Sequence, residues 1–189
     1  MFRFVFPALA SLLVLSFSSV KAAEDIAETA IEPHGEMAKL ANMLGEWTAT
    51  TEMITPEGDW VQQNVDRVGF QPELGGLLIA EEHLQRISGE GFVLVTDLSY
   101  DQYRDTYRLS AIGTGWGLMD IYEGQLENDV LDLNNIRAGT SFPLDDGREM
   151  FFRLLIPVSG DTRVTRIDMS LDGGETWNPF YRVTHERLN

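Results

Sequence analysis

The sequence predicts an all-β fold: about ten antiparallel strands closed up-and-down into a single barrel, with a short N-terminal helix. Three observations predict it. From Leu44 onward, short alternating runs are broken every dozen residues or so by Gly, Asp and Asn turns. No long helical period lies between the runs, and no sustained repeat supports a propeller or solenoid. About ten strands is also the range in which a barrel holds one small ligand instead of filling itself with side chains.

The elements follow in order. Residues 1–22 carry Arg3, the apolar run Phe4–Phe17 and small residues leading to Ala22-Ala23, which reads as a secretory signal peptide cut between those alanines. The run is shorter than the roughly 20 residues of a membrane helix, and no second apolar segment follows it. The mature chain is therefore expected in the periplasm or outside the cell, without membrane insertion. With no cysteine it can form neither a disulfide there nor a lipid-anchored N-terminus. Residues 23–35 are acidic and Ala-rich and read as a flexible leader to a barrel domain over 36–189. Met37, Leu40, Met43 and Leu44 fall on one side of a short helix, which is expected to dock on the sheet and close one end of it.

Strands are predicted over Glu46–Ile54, Trp60–Phe70, Leu77–Ile87, Phe92–Tyr100, Thr106–Ile112, Gly117–Leu126, Val130–Ile136, Arg148–Pro157, Thr162–Leu171 and Thr176–Arg187. The turns between them carry their own chemistry. Thr55-Pro56-Glu57-Gly58-Asp59 ends the first strand, and Glu127-Asn128-Asp129 marks a compact hairpin. A longer excursion, Arg137–Gly147, separates the seventh and eighth strands.

Charge narrows the partners. The formal net charge is −16, and removal of Arg3 and Lys21 with the signal would leave twelve basic residues against thirty acidic ones. Such a surface repels phosphate backbones and anionic lipid, so nucleic acid is not an expected partner.

Two local patterns resemble known families. Leu44-Gly45-Glu46-Trp47, behind a short helix, resembles the Gly-x-Trp opening of lipocalin-like (calycin) barrels, in which the tryptophan seals the barrel floor. With Leu74-Gly75-Gly76-Leu77-Leu78 after the second strand and an aromatic-rich final strand, the layout looks like DUF1579, a family of uncharacterised bacterial proteins. That resemblance implies the barrel but no activity. Separately, Ser170-x-Asp172-x-Gly174-x-Thr176-Trp177 matches the Asp-box signature of sialidase-like propellers, where the box is structural. Here it reads as a turn-builder: Asp172 accepts backbone N–H groups, Gly173 and Gly174 permit positive φ, and Trp177 packs under the loop.

Candidate site residues come from the inward-facing positions of such a barrel. Trp47, Arg67, His83, Tyr107, Tyr122 and Arg182 are the expected ligand-binding residues, for a small apolar or amphipathic molecule. Gln63, Val65 and Arg67 share one face of the second strand, and Glu81, His83 and Gln85 share one face of the third. An inward Arg67 would need an anion, and Asp120 could join Tyr122 and Arg182 in lining the lumen. No metal-ligand spacing, Gly-x-Ser-x-Gly elbow or phosphate-cradling loop is present, so no catalytic residue, metal or cofactor is expected. One alternative runs through haem: nitrobindin-like barrels, a branch of the calycins, hold haem iron through a histidine on the C-terminal strand, where this chain has His185. That resemblance implies chemistry on reactive nitrogen or oxygen species. The first strand departs from it, with Trp47-Thr48-Ala49-Thr50-Thr51 in place of a glycine-rich pattern. A second alternative is a structural or protein-interaction barrel with a packed interior.

Overall fold

The computed structural model describes residues 35–188 apart from Trp116 and Leu118. The expected signal peptide and nearly all of the expected leader lie outside the described residues. Gly35–Ala38 forms helix α1, and a 3-10 turn over Ala41–Met43 follows. The predicted apolar stripe is thus split between two short pieces. It still does what its spacing implies, because Met37, Leu40 and Met43 are all buried.

Eleven strands follow among the described residues: β1 Gly45–Ile54, β2 Trp60–Glu73, β3 Leu78–Gly89, β4 Leu94–Asp101, β5 Thr106–Gly113, β6 Met119–Glu127, β7 Val130–Asn134, β8 Phe142–Pro143, β9 Glu149–Pro157, β10 Thr162–Ser170 and β11 Asn178–Arg187. Each of β1 to β6 pairs antiparallel with the next, β9 joins β7, β10 joins β9, and β11 joins β10 and returns to β1. Ten strands therefore close into a barrel, as the turn cadence predicts. The eleventh, β8, is a two-residue addition on β9 inside the long excursion. It is too short to show an alternation in sequence.

Strand order puts α1 and the β2–β3, β4–β5, β6–β7 and β9–β10 connections at one end, here called the floor. The β1–β2 hairpin, the Gly113–Gly115 tip and the long excursion lie at the other, the mouth. The β6–β7 hairpin turns on Asn128 and Asp129, both at positive φ (51° and 62°), the two-residue geometry whose twist matches its strands. At the mouth end, the Asp box is the predicted turn: Gly174 N–H donates to Ser170 Oγ at 2.9 Å, Thr176 N–H to Asp172 Oδ1 at 2.9 Å, and Ser170 Oγ to Asp172 Oδ1 at 2.6 Å. The Ser170 hydroxyl, the Thr176 hydroxyl, which donates to Asp172 Oδ2, and the Thr176 N–H together hold the Asp172 carboxyl down to about 2.

Cross-strand partners share a face, so register decides what enters the lumen. Trp47↔Val68, Thr48↔Arg67 and Ala49↔Asp66 send Trp47, Ala49, Asp66 and Val68 inward and Arg67 outward. On β3, His83 opposes Val68 but Gln85 opposes Arg67, which leaves Leu84 as an extra residue. That bulge reverses the phase, so Gln85 turns outward and Arg86 inward against Asp66. One stretch of wall is thin: β3 and β4 share only Leu78↔Ser99, Ile79↔Leu98 and Ala80↔Asp97 before they diverge.

Candidate functional site

The inward faces leave two adjoining cavities. The larger, about 460 Å³, lies toward the mouth between Met53, Ala111, Tyr122, Phe142, Phe152 and Phe180. The smaller, about 110 Å³, lies toward the floor and is more polar, with Asp66, Glu81, His83, Arg163, Thr165 and His185 among its lining residues. Phe92, Leu94 and Tyr181 line both and form the shared wall, the Phe92 and Tyr181 rings meeting edge to face at 6.4 Å.

The apolar chamber is built on the long excursion as well as on the strands. Asp120, 5% exposed, accepts from Asn135 Nδ2 at 3.1 Å and from the Thr140 hydroxyl, and Thr140 Oγ1 accepts from the Ile121 N–H at 3.1 Å. Asn135 Oδ1 in turn accepts from the Phe152 N–H at 2.9 Å. This chain of bonds fixes the root of the excursion and with it Phe142, whose ring meets Phe152 edge to face at 5.3 Å. Burial, with Asp120 close by, pushes the Tyr122 hydroxyl far above its ordinary range, so Tyr122 presents a neutral phenol.

The polar chamber holds three kinds of group. Asp66 holds three partners: it meets His83 Nε2 at 3.0 Å, Arg86 Nε and Asn64 Nδ2. Glu81 accepts from the Thr96 hydroxyl at 2.7 Å, a link across the diverging β3 and β4. Burial pushes its carboxyl up to about 7, against the opposing pull of Thr96 and Arg163. His185, 7% exposed, sits edge to face with Phe70 at 5.7 Å and Trp47 at 6.4 Å. Burial, with Arg163 adding, holds its imidazole down to about 3, so the ring is neutral.

Arg163 is the unusual member. It is 2% exposed, its guanidinium carbon lies 4.0 Å from the Trp47 ring centroid, and none of its three nitrogens has a hydrogen-bond partner. Burial lowers it to about 10, so it stays charged at neutral pH. Arg187 stacks on the same indole at 4.1 Å, and two planar cations so close must take opposite faces of it. Arg187 is satisfied, donating to Leu44 O at 2.9 Å, Asn42 O at 2.6 Å and Asp161 Oδ1 at 2.9 Å.

The structure gathers some of the predicted residues and disperses others. Tyr122 and His83 line the lumen. Arg67 does not: it points outward, opposite Thr48, and pairs with Glu46 through Nε at 2.9 Å. Arg182 also points outward, because Tyr181 and Val183 take the inward positions of β11. It donates to Glu52 at 2.7 Å and stacks on Trp60 at 4.4 Å. Trp47 lies beneath the small cavity, covered by Arg163, with Nε1 donating to Met43 O at 3.0 Å. Tyr107 is likewise in the floor core, its hydroxyl donating to Glu36 at 2.9 Å. Gln63 and Val65 share the outer face with Arg67. Arg163 was missed because the alternation Arg163, Thr165, Ile167 against Thr162, Val164, Arg166 favours neither phase.

His185 does not suit haem iron. The cavity beside it is about 110 Å³, too small for a porphyrin, and Arg163, Phe70 and Trp47 crowd the ring.

The family model described as a protein of unknown function, DUF1579, matches residues 32–187. No curated protein matches the chain.

Proposed function

The chain belongs to the DUF1579 family of proteins of unknown function, and from its divided lumen we propose that the barrel is a host for one small apolar or amphipathic molecule. The observation that carries this reading is the cavity of about 460 Å³ walled by aromatic and aliphatic side chains. Protein interiors pack to the density of organic crystals, so a space of that size inside a closed barrel is not ordinary packing. Its volume falls in the range of about 300–1,000 Å³ typical of ligand pockets. A neutral Tyr122 and the paired Asp120 at its edge offer a few directed polar contacts within an otherwise apolar wall. The same space argues against the side-chain-filled barrel.

In this reading the protein works outside the cytoplasm, as the apolar run Phe4–Phe17 and the small residues before Ala23 support. The acidic surface favours a small neutral or tail-bearing guest over nucleic acid.

The test is titration with the neutral dye N-phenyl-1-naphthylamine, followed by its fluorescence. Wild-type protein is expected to bind one dye per chain. Ala111 lines the large cavity and is 6% exposed, so Ala111→Phe fills part of that space. The variant is expected to bind at least roughly tenfold more weakly while retaining its circular dichroism. Dye binding that ignores Ala111→Phe, or no binding by wild type, would overturn the host reading.

A further inference from the structure

Arg163 is among the residues lining the small cavity, and its buried guanidinium has no hydrogen-bond partner. A buried cation without hydrogen bonds is costly, and elsewhere among the described residues the chain avoids it. Arg86 meets Asp66 and the Gly91 carbonyl, Arg153 meets Asp132 at 2.7 Å, and Arg187 meets three oxygens. Arg163 has only the faces of Trp47 and Phe70, at 4.0 and 5.5 Å. Nor do the nearby acids bond it. Asp66 already takes three other donors and none from Arg163, and Glu81 is bonded to Thr96 and forms no ion pair with Arg163.

We propose that the small chamber is a carboxylate subsite, so that the guest of this barrel is an apolar monocarboxylate whose head pairs with Arg163 and whose body lies in the aromatic chamber. The assignment rests on the host reading above. A planar guanidinium fork matches a carboxylate in two parallel bonds, and such pairs are strongest where water is excluded. The cavity of about 110 Å³ takes a head group of that size and adjoins, across Phe92, Leu94 and Tyr181, the space that takes the tail. Charge selects the same class. One unpaired cation neutralises one negative charge, whereas a phosphate would place a second beside Glu81 and Asp66.

The test uses the full chain and displacement of N-phenyl-1-naphthylamine by decanoate, decan-1-ol and decyl phosphate at neutral pH. Wild type is expected to bind decanoate roughly tenfold or more tighter than decan-1-ol, with decyl phosphate weaker than decanoate. Arg163→Met is expected to fold, and to melt no lower than wild type, because it exchanges an unpaired buried charge for an apolar chain of similar length. It should lose the preference for decanoate and keep its affinity for decan-1-ol. Independently of any variant, the Arg163 Nε–H resonance should shift with decanoate and not with decan-1-ol. Equal binding of acid and alcohol, a preference that survives Arg163→Met, or an unmoved Arg163 resonance would overturn the subsite and leave the host reading standing. Tightest binding of decyl phosphate would overturn the carboxylate assignment. Failure of all three amphiphiles to displace the bound dye would overturn the subsite, whereas the host reading falls only if wild type does not bind the dye or binds it regardless of Ala111→Phe.

Discussion

Two groups lining the small chamber titrate with opposite consequences for stability. Burial raises the Glu81 carboxyl from 4.5 to about 7, so between those values the folded chain keeps a proton that the unfolded chain has released. Stability at this site therefore falls as pH rises from about 4.5 to about 7. Burial lowers His185 from 6.5 to about 3, so between those values the unfolded chain binds a proton that the fold refuses. Here stability falls as pH falls. The two slopes oppose each other over most of the same window. Glu81→Gln is expected to remove the first and expose the second. Urea midpoints measured from about pH 4 to 8 should vary little in wild type through the overlap, and should drop steadily on acidification in the variant. An unchanged profile in Glu81→Gln would show that the Glu81 carboxyl is not buried. Residue types such as these were legible in the sequence, but their environment was not. Arg163 and Arg182 have the same side chain on neighbouring strands, and only register makes one a buried orphan and the other a surface ion pair.

Elements came through the sequence better than their phases. All ten alternating runs are strands of the barrel, since alternation and turn residues are local signals that survive into the fold. The inward face of β3 did not come through whole. The bulge at Leu84 arises in pairing with β2, and no residue within β3 announces it. The long excursion carried no signal of its own either. Its order comes from contacts with distant strands: the Thr140 hydroxyl bonds Asp120 and accepts the Ile121 N–H. Thr140→Val keeps the shape and deletes both bonds. It should destabilise the fold by about 1–3 kcal/mol, the cost of leaving such groups unsatisfied. Hydrogen exchange at Ile121 and through residues 137–147 should quicken. Exchange unchanged at these amides would show that the excursion is held without the Thr140 bonds.

At the scale of the molecule, closure explains why one end is packed and the other hollow. The floor is filled by α1, the turn after it and the indole of Trp47 with its two guanidiniums, so polarity and side-chain volume both concentrate there. Toward the mouth the inward residues are rings spaced around a void. The Gly-x-Trp opening and the DUF1579 layout made this architecture legible, and residues 32–187 match that family. The two chambers were not legible, because a cavity depends on which side chains from ten strands fail to meet. The division into a charged end and an aromatic end is the central claim, and it fixes how a guest must lie. The most direct measurement is the set of nuclear Overhauser contacts from carbon-13-labelled decanoate bound to the full chain. The terminal methyl is expected to contact the rings of Phe142, Phe152 and Phe180, with the carbon next to the carboxylate near Thr165 and His185. A methyl group found beside His185, or contacts only with residues on the outer face such as Trp60, would contradict it.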